Sequence, residues 1–415
     1  MLDKHSSCFK TKDTQFAFKN SMSTTTCTLA LKDVANHYMK NGGQVYACLL
    51  DASKAFDRIR FDYLFKILIN RKLPAVFVRL LLDSYERQMI QSGWQGHMSD
   101  YFYVSNGVKQ GGVASPVMFT LYMDVLLQRL EDEGVGCYVG NYFFGCLCYA
   151  DDITLLAPTN NALQHMINIC EQFATEYDII FNSKKTKCIC FSKKELQATP
   201  VLRLKGDILD WSSCVEHLGH YLMHNLNEIN EIEKKRNMFV KSVNSIIINC
   251  AKLPRRLASN VYLSQCHAFY GCQTWNMTSP HIESFNVTWR KATRRVWGLP
   301  SQTRSAILPF MLRGDGFMDM VCKRMLKLKC MLDSSDNKRL KYLCGLNTSI
   351  MKINAGFIYE RFDNREGVPN RNDEFYHRAS VLDELVACRD GQMTLEGFTN
   401  EELDNLIFSI SCQRH

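Results

Sequence analysis

The sequence predicts an α+β fold, and three features carry that prediction. "QVYACLLD" reads as a fully buried strand that ends at Asp51. "NYFFGCLCYADDITLLAP" sets two apolar, strand-like runs on either side of Asp151 and Asp152. Beyond Leu226 the apolar spacing is helical to the end of the chain, with few strand signals.

Residues 1–20 are polar and turn into "QFAFKN". In "TTTCTLALKDVANHYMK" Leu29, Val34 and Tyr38 recur near helical spacing, and Asn41-Gly42-Gly43 gives a turn before the Asp51 strand. Leu64, Ile67 and Leu68 mark a helix from Phe61, punctuated by Pro74, and a second helix runs through Val78, Leu81 and Leu82. Residues 93–105 read as a hairpin of short strands, and "NGVKQGGVASP" as a Gly-rich loop. Ser115 is placed to cap the next helix, with Pro116 at its first position. That helix buries Phe119, Met123, Leu126, Leu127 and Leu130 and stops at Gly134. After Asp152 an amphipathic helix through Leu163, Ile167, Cys170 and Phe173 leads to strands that alternate to about Leu222. The main boundary falls near residue 223 and a weaker one near Gly298-Leu299-Pro300, which divides the chain into 1–222, 223–300 and 301–415.

A chain of 415 residues suits several subdomains, and 46% hydrophobic with 22% charged residues supports packed cores and excludes wholesale disorder. The formal net charge is +8, but it is uneven: residues 357–415 carry −6 and the preceding stretch +14. A basic body with an acidic tail fits a surface for a polyanion. The 18 cysteines are scattered without paired CxxC elements, so they read as reduced, mostly buried thiols of an intracellular protein rather than as disulfides or a zinc site. The polar start does not read as a signal peptide, and no stretch approaches the length of a membrane span.

Asp51 and Asp151 stand one hundred positions apart. Adjacent carboxylates between apolar strands are costly to bury unpaired, so Asp151 and Asp152 belong at a hairpin tip and call for a cation. Nucleotidyl transfer needs divalent metals about 3.5–4 Å apart that bridge attacking and leaving oxygens. Mg²⁺ prefers carboxylate, phosphate and water oxygens. An apolar strand ending in Asp beside a hairpin tipped with Asp-Asp supplies such a site. Taken alone, adjacent Asp residues are an ordinary solvated turn.

The flanking motifs decide between those readings. "QFAFKNSMSTT", "LLDASKAFDRI", "NGVKQGGVASPVMFTLYMD", "CYADDITLLAP", "FNSKKTKCICF" and "HLGHYL" occur in this order. They resemble the fingers motif and motifs A to E of the reverse transcriptase domain of non-LTR (LINE-type) retrotransposons, from about Gln15 to Leu222. The resemblance implies a right-hand polymerase: a palm of antiparallel sheet packed on helices with partial fingers in 1–222, a helical thumb-like region in 223–300, and a helical C-terminal region with an acidic tail in 301–415. It implies an RNA-directed DNA polymerase that adds dNTPs to a DNA primer on an RNA template with two Mg²⁺ ions, for which Mn²⁺ is a possible substitute. No protein partner and no membrane are implied, and nuclear work is implied only by the family.

Residue by residue, the resemblance makes Asp51, Asp151 and Asp152 metal ligands, with the Ala52 carbonyl beside them. Phe56 would be the steric gate against a ribose 2′-OH, where the plain alternative is a core ring. Lys109, Gln110 and Gly111 would contact the nucleotide and template, with Gly111 and Gly112 permitting close backbone approach. Lys185, flanked by Lys184 and Lys187, would protonate the pyrophosphate or pair with its charge. Lys19 would reach the triphosphate, and Leu218 to Tyr221 would support the primer end. Lys234, Lys235 and Arg236 would face backbone phosphates. Arg290, Lys291, Arg294 and Arg295 between Trp289 and Trp297 suit either nucleic acid or an amphipathic helix with its tryptophans inside.

Departures from the pattern are Ala17 for Gly, Met22 at a site often basic and Ala114 for Leu. They bear on template affinity and efficiency, not on the metal ligands. Upstream fingers segments, an endonuclease and a Cys/His knuckle are not found, so an N-terminally truncated retroelement protein is expected. Two other readings stay open: an inactive remnant that binds nucleic acid or nothing, and an RNA-templated RNA polymerase, against which Phe56 argues.

Overall fold

A computed structural model describes residues 7–109, 111–265, 269–312, 314–363, 382, 386 and 399–412. Contacts divide the chain into two compact units, Met1–Asn227 with Met331–Ser349, and Glu228–Cys330 with Ile350–His415.

The first unit is built on a five-stranded sheet. Its strands are β1 (Val45–Leu50), β2 (Cys146–Tyr149), β3 (Asp152–Ala157), β4 (Lys187–Phe191) and β5 (Asp210–Trp211), in the spatial order β5-β4-β1-β3-β2. The pairs β1–β4, β1–β3 and β2–β3 are antiparallel, and the edge pair β4–β5 is parallel. Side chains alternate across a strand, and both faces are covered here. Cys48, Leu50, Cys146, Ile153, Leu155 and Cys188 share one core with helices α4 (Ser115–Asp132) and α5 (Asn160–Glu176). Ala47, Leu147, Leu156, Ile189 and Phe191 are equally buried on the alternate positions, and α1 (Thr24–Lys40) packs against β1 and β2. A sheet buried twice explains why these strands read as unbroken apolar runs.

Local chemistry sets the ends of the elements. Ser23 and Thr26 form a capping box at α1. Helix α4 begins at Ser115 rather than after it; Ala114 holds the cap position without a side-chain bond, and Pro116 sits in the first turn. Helices α2 (Phe61–Asn70) and α3 (Ala75–Glu86) follow the expected spacing. The strands Met89–Ile90 and Phe102–Tyr103 pair, as do Gly93–Trp94 and His97–Met98. Strands β6 (Cys214–His217) and β7 (His220–Met223) join through Leu218 and Gly219, both at positive φ, the signature of a tight hairpin turn.

The helix lying between Asn337 and Leu346 belongs to this same unit. Asn337 accepts from Leu340 N (2.9 Å) and donates to Asp13 O (2.7 Å). Arg339 donates to the carbonyl of Phe143 (3.1 Å) and pairs with Glu131, which also holds Lys12 at 3.0 Å. Burial works to raise the Glu131 carboxyl, but Arg339 and Lys12 outweigh it and hold it below the ordinary range.

The second unit is helical: α6 (Ile229–Asn249), α7 (Arg255–Gln265) and α8 (Pro280–Trp297) pack around Phe239, Tyr262, Trp275, Phe285 and Trp297. Trp289 and Trp297 are buried, so the helix is amphipathic with its tryptophans inside. Arg290 pairs with Glu283, Arg294 binds the carbonyl of Thr303, and Arg295 reaches Asn244. Lys235 is buried, its ammonium 5.0 Å from the Tyr270 ring centroid, because α6 turns that face inward. It therefore does not face a phosphate strand, whereas Lys234 is exposed. The acidic tail is more than a solvated terminus: Leu382, Val386, Leu403 and Ile407 are buried in this core. Among the described residues no helix is long and apolar enough to cross a membrane.

Arg339→Ala leaves the Phe143 carbonyl without this donor and Glu131 with one cation instead of two. It is expected to destabilise the fold by about 1–3 kcal/mol, read as a lower urea midpoint. An unchanged midpoint would count against this network as the anchor of residues 338–345.

Candidate active site

Register brings the carboxylates to one end of the sheet. The β1–β3 ladder runs up to Leu50 opposite Ile153, so the next positions are Asp51 and Asp152. Strands β2 and β3 are joined by the two-residue turn Ala150-Asp151, closed by Tyr149 opposite Asp152. Ala150 takes φ +58° and Asp151 does not share the positive sign. A positive φ at the first central residue alone is the II′ pattern, which favours Gly there. An alanine held in it stores roughly 1–3 kcal/mol of strain.

The carboxylates feel one another. Burial raises the Asp151 carboxyl above its ordinary value and the charge of Asp51 adds to this, while the residue's own amide opposes it. The Asp152 carboxyl is pushed up to about 6, by burial first and then by Asp151 and Asp51. A cation relieves such repulsion. Among the described residues no three His, Cys, Asp or Glu side chains close into a ready-made cage. Mg²⁺ is usually held by one or two carboxylates with waters and substrate phosphates, and an open carboxylate cluster of hard oxygen donors fits that ion.

The segment after β1 is stitched to residues 180–186. Asn182 N donates to Asp51 O (2.9 Å) and Ser53 N to Ile180 O (2.8 Å), with Ala52 bridging to Phe181. Carbonyls alternate along a strand, so the Ala52 carbonyl turns to the other edge, where β3 lies. Asp51 N donates to Thr186 Oγ1 (3.4 Å), a buried hydroxyl. Lys185 places its ammonium 3.9 Å from Asp51 Oδ2. Its turn is shaped by Asn182, whose Oδ1 accepts from Lys184 N and Lys185 N at 3.1 and 3.3 Å.

Phe56, Lys109, Gly111, Gly112, Ser115 and Pro116 line a cavity of about 400 Å³. The Phe56 ring stacks on Phe119, centroids 4.1 Å apart and 8° from parallel. Core ring and cavity wall are therefore the same residue. The loop before Lys109 is fixed by Val108 N to Phe56 O (2.9 Å) and Gly107 N to Ile59 O (2.8 Å). A Cβ at Gly107, at φ +86°, would lie 2.9 Å from Asp57 O, so only glycine fits.

The structure thus gathers Asp51, Asp151, Asp152 and Lys185 at the strand ends, and Phe56, Lys109 and Gly111 around one cavity. Lys19 is not gathered with them. Its ammonium binds the carbonyls of Thr11 and Lys12, and burial lowers its pKa to about 8 against the pull of Asp13 and Asp124. Two carbonyls and a partly dry site hold it where the sequence suggested a free phosphate contact. Gln110 lies outside the described residues. Thr186 and Gln15, both fully buried at this end of the sheet, have no role in the motif reading beyond marking its pattern. Their signal is weak: a polar side chain inside an apolar stretch.

The chain is similar to proteins of retrotransposable elements. The Pol polyprotein of the type-2 retrotransposable element R2DM of Drosophila melanogaster is 33% identical over 173 residues, 42% of this chain and 16% of that protein. The Pol polyprotein of the type-1 retrotransposable element R2 of Popillia japonica is 25% identical over 329 residues, 74% of this chain. The chain spans about half of that relative's length, 51%. A telomerase from Candida Tropicalis, solved with a TWJ fragment of telomeric RNA, aligns over 85% of this chain and 52% of its own, at 11% identity and a TM-score of 0.39. The α+β architecture is consistent with a right-hand polymerase. The family described as Reverse transcriptase (RNA-dependent DNA polymerase) matches residues 2–222. Since that is more than half of its length, the chain belongs to the reverse transcriptases, among those of non-LTR retrotransposons.

Proposed function

We propose that this chain is an active RNA-directed DNA polymerase that extends a DNA primer with dNTPs on an RNA template. The observation that carries the reading is the register that sets Asp51 beside the Asp151-Asp152 tip, with both tip carboxyls raised partly by Asp51. Asp51, Asp151, Asp152 and the Ala52 carbonyl would hold two Mg²⁺ ions, or Mn²⁺ in their place. Bound there, the metals supply charge to the attacking and leaving oxygens of the transferred phosphate.

The chain's own residues do the rest. Lys185 sits within ion-pair distance of Asp51, which suits it to neutralise or protonate the departing pyrophosphate. The Lys109 ammonium is exposed at the cavity and suits a triphosphate oxygen. Phe56, stiffened by Phe119, gives a dNTP sugar a flat wall and gives a 2′-OH neither space nor partner. A second reading, a remnant that binds nucleic acid without turnover, draws support from Lys19, whose charge is spent on two carbonyls.

Primer extension on poly(rA)/oligo(dT) with Mg²⁺ separates the two. Wild type is expected to extend, and Asp151→Ala to lose at least 100-fold. Folded wild-type protein that extends nothing establishes the remnant, and template binding that weakens with salt then shows whether it holds nucleic acid.

Phe56→Val is expected to lower discrimination against rNTPs by about tenfold or more, read as the ratio of kcat/KM for dNTP and rNTP. Unchanged sugar selectivity removes Phe56 from the gate.

The carboxylates also set a pH dependence. Asp152 must lose its proton to hold a cation, so the half-saturating Mg²⁺ concentration is expected to climb as pH falls through about 6. Without metal the sign reverses for stability. A folded-state value above the unfolded one means that the folded chain binds the proton more tightly, so stability falls as pH rises from the ordinary carboxylate range through about 6. Asp152→Asn is expected to raise the metal-free Tm at neutral pH while weakening extension. A lower Tm would show that the carboxylates do not repel one another.

A further inference from the structure

The turn that carries Asp151 is strained, and one buried side chain grips it. Gln15 is fully buried. Its Oε1 accepts from Ala150 N at 3.1 Å and from Ala17 N at 3.0 Å. Its Nε2 donates to Cys148 Sγ at 3.2 Å. Two N–H donors on one end of the amide fix which end is oxygen. The main chain adds a short parallel bridge between Gln15 and Cys148, with Cys148 N donating to Thr14 O (2.9 Å) and Phe16 N to Cys148 O (2.8 Å). Cys148 Sγ in turn donates to Ala150 O at 3.0 Å. Both polar groups of the Ala150 backbone are thus held, one by Gln15 and one through the thiol that Gln15 contacts.

We propose that Gln15 is a positioning residue of the metal site, whose carboxamide holds Ala150 at positive φ and so fixes where the Asp151 and Asp152 carboxylates point. The inference rests on the polymerase reading only in taking these carboxylates as metal ligands. The physical case is local. Ala150 lacks the freedom of glycine, so its φ persists only if its surroundings over-determine it. Ala150 lies beyond the last rung of the β2–β3 ladder, Tyr149 opposite Asp152, so its N–H has no partner there, and a buried N–H left without an acceptor is costly. Gln15 supplies that acceptor from a segment 135 residues away in sequence. A relaxed turn swings both carboxylates at once, because Asp151 is the second turn residue and Asp152 the first of β3. Outer-shell partners of metal ligands typically matter by about 10–100-fold in affinity or activity.

The test is Mn²⁺ binding by electron paramagnetic resonance on the full chain, which needs no turnover, alongside primer extension. Asp151→Ala is the control and is expected to lose Mn²⁺. Gln15→Met keeps the volume and removes the acceptor; its Mn²⁺ affinity is expected to fall by about tenfold or more, with kcat reduced and the KM for dNTP little changed. Gln15→Glu keeps an acceptor oxygen and is expected to bind Mn²⁺ more tightly than Gln15→Met. If Gln15→Met does not fold, Gln15→Asn, which withdraws the amide by one methylene, carries the same expectation. A folded Gln15→Met or Gln15→Asn with wild-type Mn²⁺ affinity overturns the proposal, as does a Gln15→Glu no better than Gln15→Met. Wild type that binds Mn²⁺ normally but extends no primer sinks the polymerase reading and leaves the brace standing. Wild type that binds no Mn²⁺, or Asp151→Ala that binds it unchanged, sinks both.

Discussion

Three carboxylates held within one another's field are the constraint around which the first unit is organised. Left to themselves they repel, and burial adds to the cost of charge at Asp151 and Asp152. Hydrophobic burial cannot solve this, because it has no direction. The fold answers with directional bonds: the Asp51 main chain is held through its amide by Thr186 and through its carbonyl by Asn182, and the hairpin tip is gripped by Gln15. The apolar core below, from Leu50 through Ile153 to Phe119, makes those strand ends stiff enough to bear the load.

The same economy appears at the cavity beside Phe56. The Phe56 ring lies flat on Phe119, and a side chain at Gly107 would press on the Asp57 carbonyl. Core packing and site shape are one set of contacts there.

Much of this could be read from residues alone where the signal is periodic or motif-like. The strand ending at Asp51, the hairpin around Asp151, the helix beginning at Ser115 and the strands that alternate to about Leu222 all follow from apolar runs and turn residues. Long-range polar pairing was not legible. Nothing in "QFAF" says that Gln15 reaches Ala150, and nothing in "FNSKKT" says that the hydroxyl of Thr186 meets the amide of Asp51. Lys19 shows the opposite failure, since a basic residue in a familiar motif position folds back onto the carbonyls of Thr11 and Lys12. The buried Trp289 and Trp297 show that interleaved basic and aromatic residues are as well explained by one amphipathic helix.

The return of Met331–Ser349 to the first unit bears on how the protein is made and how it can be rearranged. The palm-like sheet and its motifs are complete in sequence by Asn227, yet Asn337 and Arg339, which fasten Asp13, Phe143 and Glu131, emerge from the ribosome only after Glu228–Cys330. The first unit therefore finishes folding late, with part of the second already synthesised. The chain passes between the units three times, so a single crossover cannot exchange either one as a module. A recombinant that inherits the polymerase motifs without residues 331–349 inherits a sheet that lacks its last fastening.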